Sequence, residues 1–71
     1  MSALLPFQQR VVDESKELET KLDALTAFTG SAVFRNLPDV DRELLMRQGV
    51  HMTRYLMVLK VRIDNFKGAA A

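Results

Sequence analysis

Apolar residues recur at helical spacing along two long segments, and the residues that break helices lie between them. In the first segment Leu4, Val11, Leu18 and Leu25 repeat every seven residues, and Ser15, Leu22 and Thr29 follow the last three at four-residue spacing. One narrow face is therefore apolar, as a helix packed along one side requires. Pro6, with its fixed φ and missing N–H, suits the first turn, so the pattern predicts a helix over about 6–29. The opposite face is charged. Glu17 and Lys21 stand i,i+4 in the favourable order, and Asp13 and Glu14 lie early, where the helix dipole favours negative charge. Gly30 is placed to end the helix in a left-handed conformation.

The connection, residues 30–37, reads Gly30-Ser31-Ala32-Val33-Phe34-Arg35-Asn36-Leu37 and predicts a single helical turn capped by Ser31. Phe34 and Leu37 are expected to plug the open end of a hairpin. Pro38 restarts a helix with Asp39 and Asp41 in its first turn, and this helix is expected to run over about 38–67 until Gly68 stops it. The terminal Ala69-Ala70-Ala71 carries no pattern. A connection this short makes the long helices antiparallel neighbours, so the expected fold class is all-α. It is one domain over 1–71: a two-helix hairpin with a helical turn in its connection.

Projected at about 100° per residue, the second helix carries three stripes. Leu45, Gly49, Met52, Leu56, Leu59, Ile63 and Phe66 match the apolar face of the first helix and form the expected core. Glycine costs about 1 kcal/mol of helix propensity relative to alanine, so Gly49 on this seam suggests close helix approach. The second stripe, Met46, Val50, Thr53, Met57 and Val61, faces away from the seam and cannot be covered within one hairpin. Each buried Val or Met side chain is worth roughly 1.5–3 kcal/mol, so the stripe points to a homo-oligomer or a foreign partner. Arg47, His51, Arg54, Tyr55 and Arg62 make a third stripe, with Leu44 and Val58 between them. Forked guanidinium donors and a phenol ring on one flank are a candidate phosphate-binding face; the alternative is a solvated flank whose arginines snorkel.

Composition narrows the functional classes. The chain has 71 residues, no cysteine, and ten Lys+Arg against nine Asp+Glu, for a net charge of +1. A chain this short buries only about 60% of its unfolded surface, so without a disulfide a partner is the natural source of added stability. The balanced charge argues against general nucleic-acid binding. The N-terminal Met1-Ser2-Ala3-Leu4-Leu5-Pro6 lacks the basic region and apolar run of a signal peptide, and no window approaches the ~18 apolar residues of a membrane span. The expectation is a soluble intracellular protein with no membrane partner. A single His51 with no cysteine and no paired carboxylates does not make a zinc site, and no nucleophile stands beside an oriented base. The chain is therefore expected to be no enzyme and to need no cofactor.

The run Asp41-Arg42-Glu43-Leu44-Leu45-Met46-Arg47-Gln48-Gly49-Val50-His51, followed by Met57, Leu59 and Ile63, resembles the second hairpin helix of small phage-encoded anti-defence sponges. Their hairpin domain is shared by inhibitors of two bacterial immune systems, the cyclic-oligonucleotide (CBASS) system and the Thoeris system. The resemblance covers roughly residues 8–66, and Asp41, Arg42, Leu45, His51, Met57, Leu59 and Ile63 are the matching positions. It implies a homo-oligomer in the host cytoplasm that sequesters a signal nucleotide of the cyclic-nucleotide or cyclic ADP-ribose type without degrading it. The basic Gly-Tyr-Arg segment that those sponges carry ahead of the first helix has no counterpart before Gln8, so the fold carries over more directly than the ligand contacts. The chain also looks like a broader class of short phage and prophage proteins with Gln9-Arg10-Val11-Val12 followed by Glu14, Phe34-Arg35-Asn36-Leu37-Pro38 and Leu44-Leu45-Met46-Arg47-Gln48 in corresponding places. Three readings follow: a nucleotide sponge with Arg47, His51, Arg54, Tyr55 and Arg62 near subunit boundaries, a protein-binding inhibitor of a host enzyme or receptor docking through Met46, Val50, Met57 and Val61, and an assembly factor of the phage particle.

Overall fold

Pro6 stands at the first position of helix α1, Pro6–Thr29, and the Gln8 side-chain oxygen accepts the Leu5 N–H at 2.9 Å just ahead of it. The computed structural model describes residues 4–70, with side chains from 4 to 66; Met1–Ala3, Ala71 and what was expected of them lie outside the described residues. Leu4 precedes the helix, so Phe7 takes its place at the head of the apolar face.

At the other end of α1 the Gly30 N–H donates to the Ala27 carbonyl at 3.2 Å and the Ser31 N–H to the Phe28 carbonyl at 2.9 Å. Gly30 has φ −89° and ψ −1°, a right-handed conformation, which corrects the expected left-handed cap. The reason is what comes next. The three-residue closure of the last turn feeds directly into a second helical turn, so the chain has no need to reverse hand at the glycine. Ser31 caps that turn, α2 (Ala32–Arg35), by accepting the Phe34 N–H at 3.2 Å while its hydroxyl donates to the Phe28 carbonyl at 2.6 Å. Phe34 packs edge-on against Phe28, with ring centroids 6.2 Å apart, and with half-buried Leu37 it closes this end of the molecule.

Helix α3, Asp39–Ala70, starts after Pro38, whose carbonyl accepts the Arg42 N–H at 3.1 Å. Asp39 and Asp41 lie in its first turn, and Asp39 is paired with Arg42. The helix passes through Gly68 rather than stopping there. Glycine weakens a helix without forbidding it, and the alanines that follow are the best helix formers. All described elements are helical.

The two long helices run antiparallel. Phe7 meets Phe66 edge-on at one end, with centroids 5.9 Å apart; Lys60 and Glu19 approach to 3.8 Å further in; Gly49 lies beside Leu25 nearer the connection. Val11, Leu56 and Leu59 are buried, Leu59 completely, and Ser15 joins them with its hydroxyl donated to the Val12 carbonyl at 3.0 Å. Leu18, Leu22, Leu25, Leu45, Met52, Ile63 and Phe66 are half-buried along the same seam. Glu17 and Lys21 are not among the ion pairs, which are Asp39–Arg42, Glu43–Arg47 and Glu19–Lys60 among the described residues. The molecule measures 52 × 16 × 15 Å.

Candidate ligand-binding face

From Leu44 to Ile63 the chain contains no Asp or Glu, but it holds Arg47, Arg54, Lys60, Arg62 and His51. Because α3 turns its core seam toward α1, the remaining side chains of this acid-free stretch face outward. Val40, Leu44, Met46, Val50, Met57, Val58 and Val61 are all half exposed or more. The uncovered apolar face is therefore broader than Met46, Val50, Met57 and Val61. Val40, Leu44 and Val58 continue it on the far side of Arg54, and their angular positions on the helix already carry that signal.

The five cationic and polar candidates fall into different environments. Arg47 is ion-paired with Glu43 one turn earlier, Nη2 to Oε1 at 2.7 Å, and both side chains remain largely in solvent. An exposed pair of this kind is weak, so Arg47 stays available to a stronger anion. His51 is exposed. Tyr55 is tied across the hairpin, its phenol O–H donated to the Glu14 carboxylate of α1. That hydrogen bond, some loss of solvent and the Glu14 charge raise the phenol above its ordinary pKa of 10.0, and Arg62 opposes them. Arg54 and Arg62 come together around a concavity of about 400 Å³ floored by Met57, Val58 and Val61. Arg47 and His51 do not line it.

Arg54 also stands at the rim of a second concavity, about 350 Å³, which lies between the helices rather than on α3 alone. Leu22, Leu25, Thr26 and Thr29 of α1 face Leu45, Met46, Gly49, Val50 and Thr53 of α3 across it. Sequence reasoning does not find this groove, since it exists only once the helix register is set. An alanine Cβ built at Gly49 would meet Leu25 Cδ2 at 3.5 Å, an ordinary contact. Close helix approach therefore does not demand glycine there, which corrects the expectation.

Among the described residues no group of three or more His, Asp or Glu is placed to hold a metal ion, and no helix is long and apolar enough to cross a membrane. An antiparallel helical hairpin with a short capped turn in its connection, and with one helix face left apolar and cationic, defines a small all-helical protein. Residues 5–65 match the Sequestin family, and the chain belongs to it. It is also 39% identical over 64 residues to an uncharacterized 7.5 kDa protein in the denB-rIIB intergenic region of Enterobacteria phage T4, covering 90% of this chain and 100% of that one. These matches bear out the kinship with small phage-encoded helical proteins. No solved structure matches the chain.

Proposed function

We propose that this protein acts in the host cytoplasm by sequestering a small anionic signal, a nucleotide of the cyclic-nucleotide or cyclic ADP-ribose type, and that it holds the ligand without converting it. The observation that carries this reading is the acid-free stretch of α3, with Arg54 and Arg62 in no ion pair among the described residues and both bordering apolar concavities. Between Leu44 and Ile63 a phosphate approaching this face meets cations and no carboxylate of α3, Glu43 lying one turn before Arg47 and paired with it, and Arg offers the phosphate two parallel donors. The family name points the same way, toward capture rather than chemistry. In this reading copies of the chain associate through Met46, Val50, Met57 and Val61, which sets Arg47, His51, Arg54, Tyr55 and Arg62 near the boundaries between them.

Titration calorimetry with a panel of cyclic dinucleotides and cyclic ADP-ribose isomers tests the proposal, with the bound ligand recovered after denaturation and checked for integrity. Arg54→Ala is expected to weaken binding roughly ten- to a hundredfold, the worth of a charge-assisted hydrogen bond, while the melting temperature holds. Binding weakens as salt rises, because exposed charges are screened over about 10 Å at 0.1 M. If Arg54→Ala unfolds the protein instead, the stripe is structural and the proposed site is wrong. The breadth of the exposed apolar face supports a second reading, an inhibitor that lays α3 into a groove of a host protein. That reading predicts no nucleotide binding and loss of the host partner on Met57→Glu.

A further inference from the structure

Opposite the face that packs on α1, α3 carries a second seam. Arg47, Val50, Arg54, Met57, Val61 and Asp64 follow one another at alternating spacings of three and four, the a and d positions of a heptad pattern, and all six are exposed. This is the pattern by which one helix lies along another. α1 offers it no match, because among the described residues no large apolar side chain of α1 between Gln8 and Ala27 is exposed. The exposed apolar side chains elsewhere, such as Phe7, Phe28 and Val33, stand at the two ends of the rod. The long apolar surface that fits this seam is the seam itself, so its occupant is a second copy of the chain.

Charge then sets the direction. In a parallel pair each position meets its own copy, so Arg47, Arg54 and Asp64 would all stand in like-charge layers. In an antiparallel pair a positions meet d positions. One antiparallel stagger covers Val50, Met57 and Val61 together and also sets base on acid: Arg47 lies opposite the partner's Asp64, Val50 opposite the partner's Val61, and Arg54 opposite the partner's Met57. Sliding the partner one heptad either way loses one of these features. One slide puts Glu43 opposite Val61 with no unlike charges facing, and the other pairs Arg54 with Asp64 but leaves Val50 uncovered. In the chosen stagger the two-fold axis passes between positions 55 and 56, close to the middle of α3, Asp39–Ala70, so the helices overlap along almost their whole length.

We propose that two copies associate antiparallel along this seam, α3 on α3, with Arg47 of each chain paired to the partner's Asp64. The inference rests on the association through Met46, Val50, Met57 and Val61 proposed above, and adds its direction, its stagger and the ion pairs that fix both. Asp64 is in no ion pair among the described residues, and Arg47 is held only by its exposed pair with Glu43, so neither gives up a strong contact. The two ion pairs close the ends of the apolar segment, where they select the stagger more than they add affinity. Arg54 lays its stem along the seam and carries its guanidinium to the edge, open to an anion.

Two measurements on the full chain test the proposal. Arg47→Glu and Asp64→Arg each turn both ion pairs of the dimer into like-charge contacts, and each is expected to weaken association at least about tenfold in sedimentation equilibrium. The double variant sets unlike charges together again and is expected to recover most of the loss. The chain has no cysteine of its own, so introduced thiols report the stagger directly. Val50→Cys chains mixed with Val61→Cys chains are expected to form a disulfide-linked dimer on mild oxidation. Val50→Cys alone is expected to form none, because its two copies stand about 16 Å apart along the helices, beyond the ~7 Å that a disulfide spans. Association of the native chain with no recovery in the double variant, and with cross-linking of Val50→Cys to itself, overturns the antiparallel stagger and leaves association standing. A native chain that stays a folded monomer overturns both. Should a charge variant fail to fold, the thiol pairs decide, since Val50 and Val61 are both half exposed or more.

Discussion

Tyr55 is the one tyrosine in a chain without tryptophan, so its ionisation can be followed by absorbance with no other residue in the way. The neutral phenol donates to Glu14, whereas a phenolate would face that carboxylate as a like charge. Its folded pKa therefore lies above the unfolded value of about 10. The stability drawn from this contact is fully present below the unfolded value and is lost as pH rises through the folded one. It adds no pH dependence near neutrality. The expected titration midpoint is above about 10, falling back toward 10 in Glu14→Ala and rising further in Arg62→Ala, because Arg62 favours the phenolate. A midpoint unmoved by Glu14→Ala contradicts the contact. Gly30 offers a second test at this scale. Its φ of −89° is open to any L-residue, and an added Cβ has Ala27 O at 3.6 Å as its nearest neighbour. Gly30→Ala is therefore expected to stabilise the protein by about 0.4–1 kcal/mol in urea unfolding, chiefly by restricting the unfolded chain. Had the residue been left-handed, the same change would destabilise.

Among the described residues α3 supplies two of the three buried apolar side chains, and Leu59 has no exposed surface at all. Leu59→Ala is expected to cost about 2–5 kcal/mol, against less than about 0.5 for Val33→Ala on the exposed side of α2, and urea unfolding of the two variants measures the contrast. The seam that Leu59 anchors was legible from spacing, since period 3.6 is the same physics in the sequence and in the packed helix. So was the Ser31 cap, which depends on two residues three apart. The features that were not legible depend on longer separations or on neighbouring elements. Tyr55 and Glu14 are 41 positions apart, and their hydrogen bond follows from how far one helix slides along the other. The conformation of Gly30 depends on α2 beginning at once. The groove at Gly49 needs both helices in place before it has walls. The cationic residues of the candidate face could be named from the sequence, but the way they divide could not: Arg54 and Arg62 share one concavity, Arg47 is paired with Glu43, and Tyr55 is turned to α1.

At the scale of the whole molecule, two helices make a thin core. The accessible surface is 5481 Å², against roughly 4,500 Å² for a compact 8.1 kDa protein. The excess is comparable to the roughly 800 Å² that each partner contributes to a standard interface, which supports the proposed association. Folding and association are then linked by mass action. The melting temperature is expected to rise with protein concentration, and Met57→Glu to lower both that temperature and the mass, which sedimentation equilibrium should place at the single chain's 8.1 kDa. A concentration-independent melting temperature for a cooperatively folded monomer would remove this part of the proposal.

The 52 Å length of the hairpin is more than three times its 16 Å width, and its radius of gyration is 16.0 Å where a compact chain of this size has about 11 Å. Friction on a particle depends on shape as well as mass. A lone hairpin therefore diffuses slowly for its weight and leaves a gel-filtration column early, in the place where a globular protein of greater mass would appear. It also tumbles anisotropically, so NMR relaxation differs between N–H bonds along the rod axis and those across it. Side-by-side pairing thickens the rod without lengthening it and brings the particle closer to a sphere, so doubling the mass alters its elution far less than the mass alone suggests.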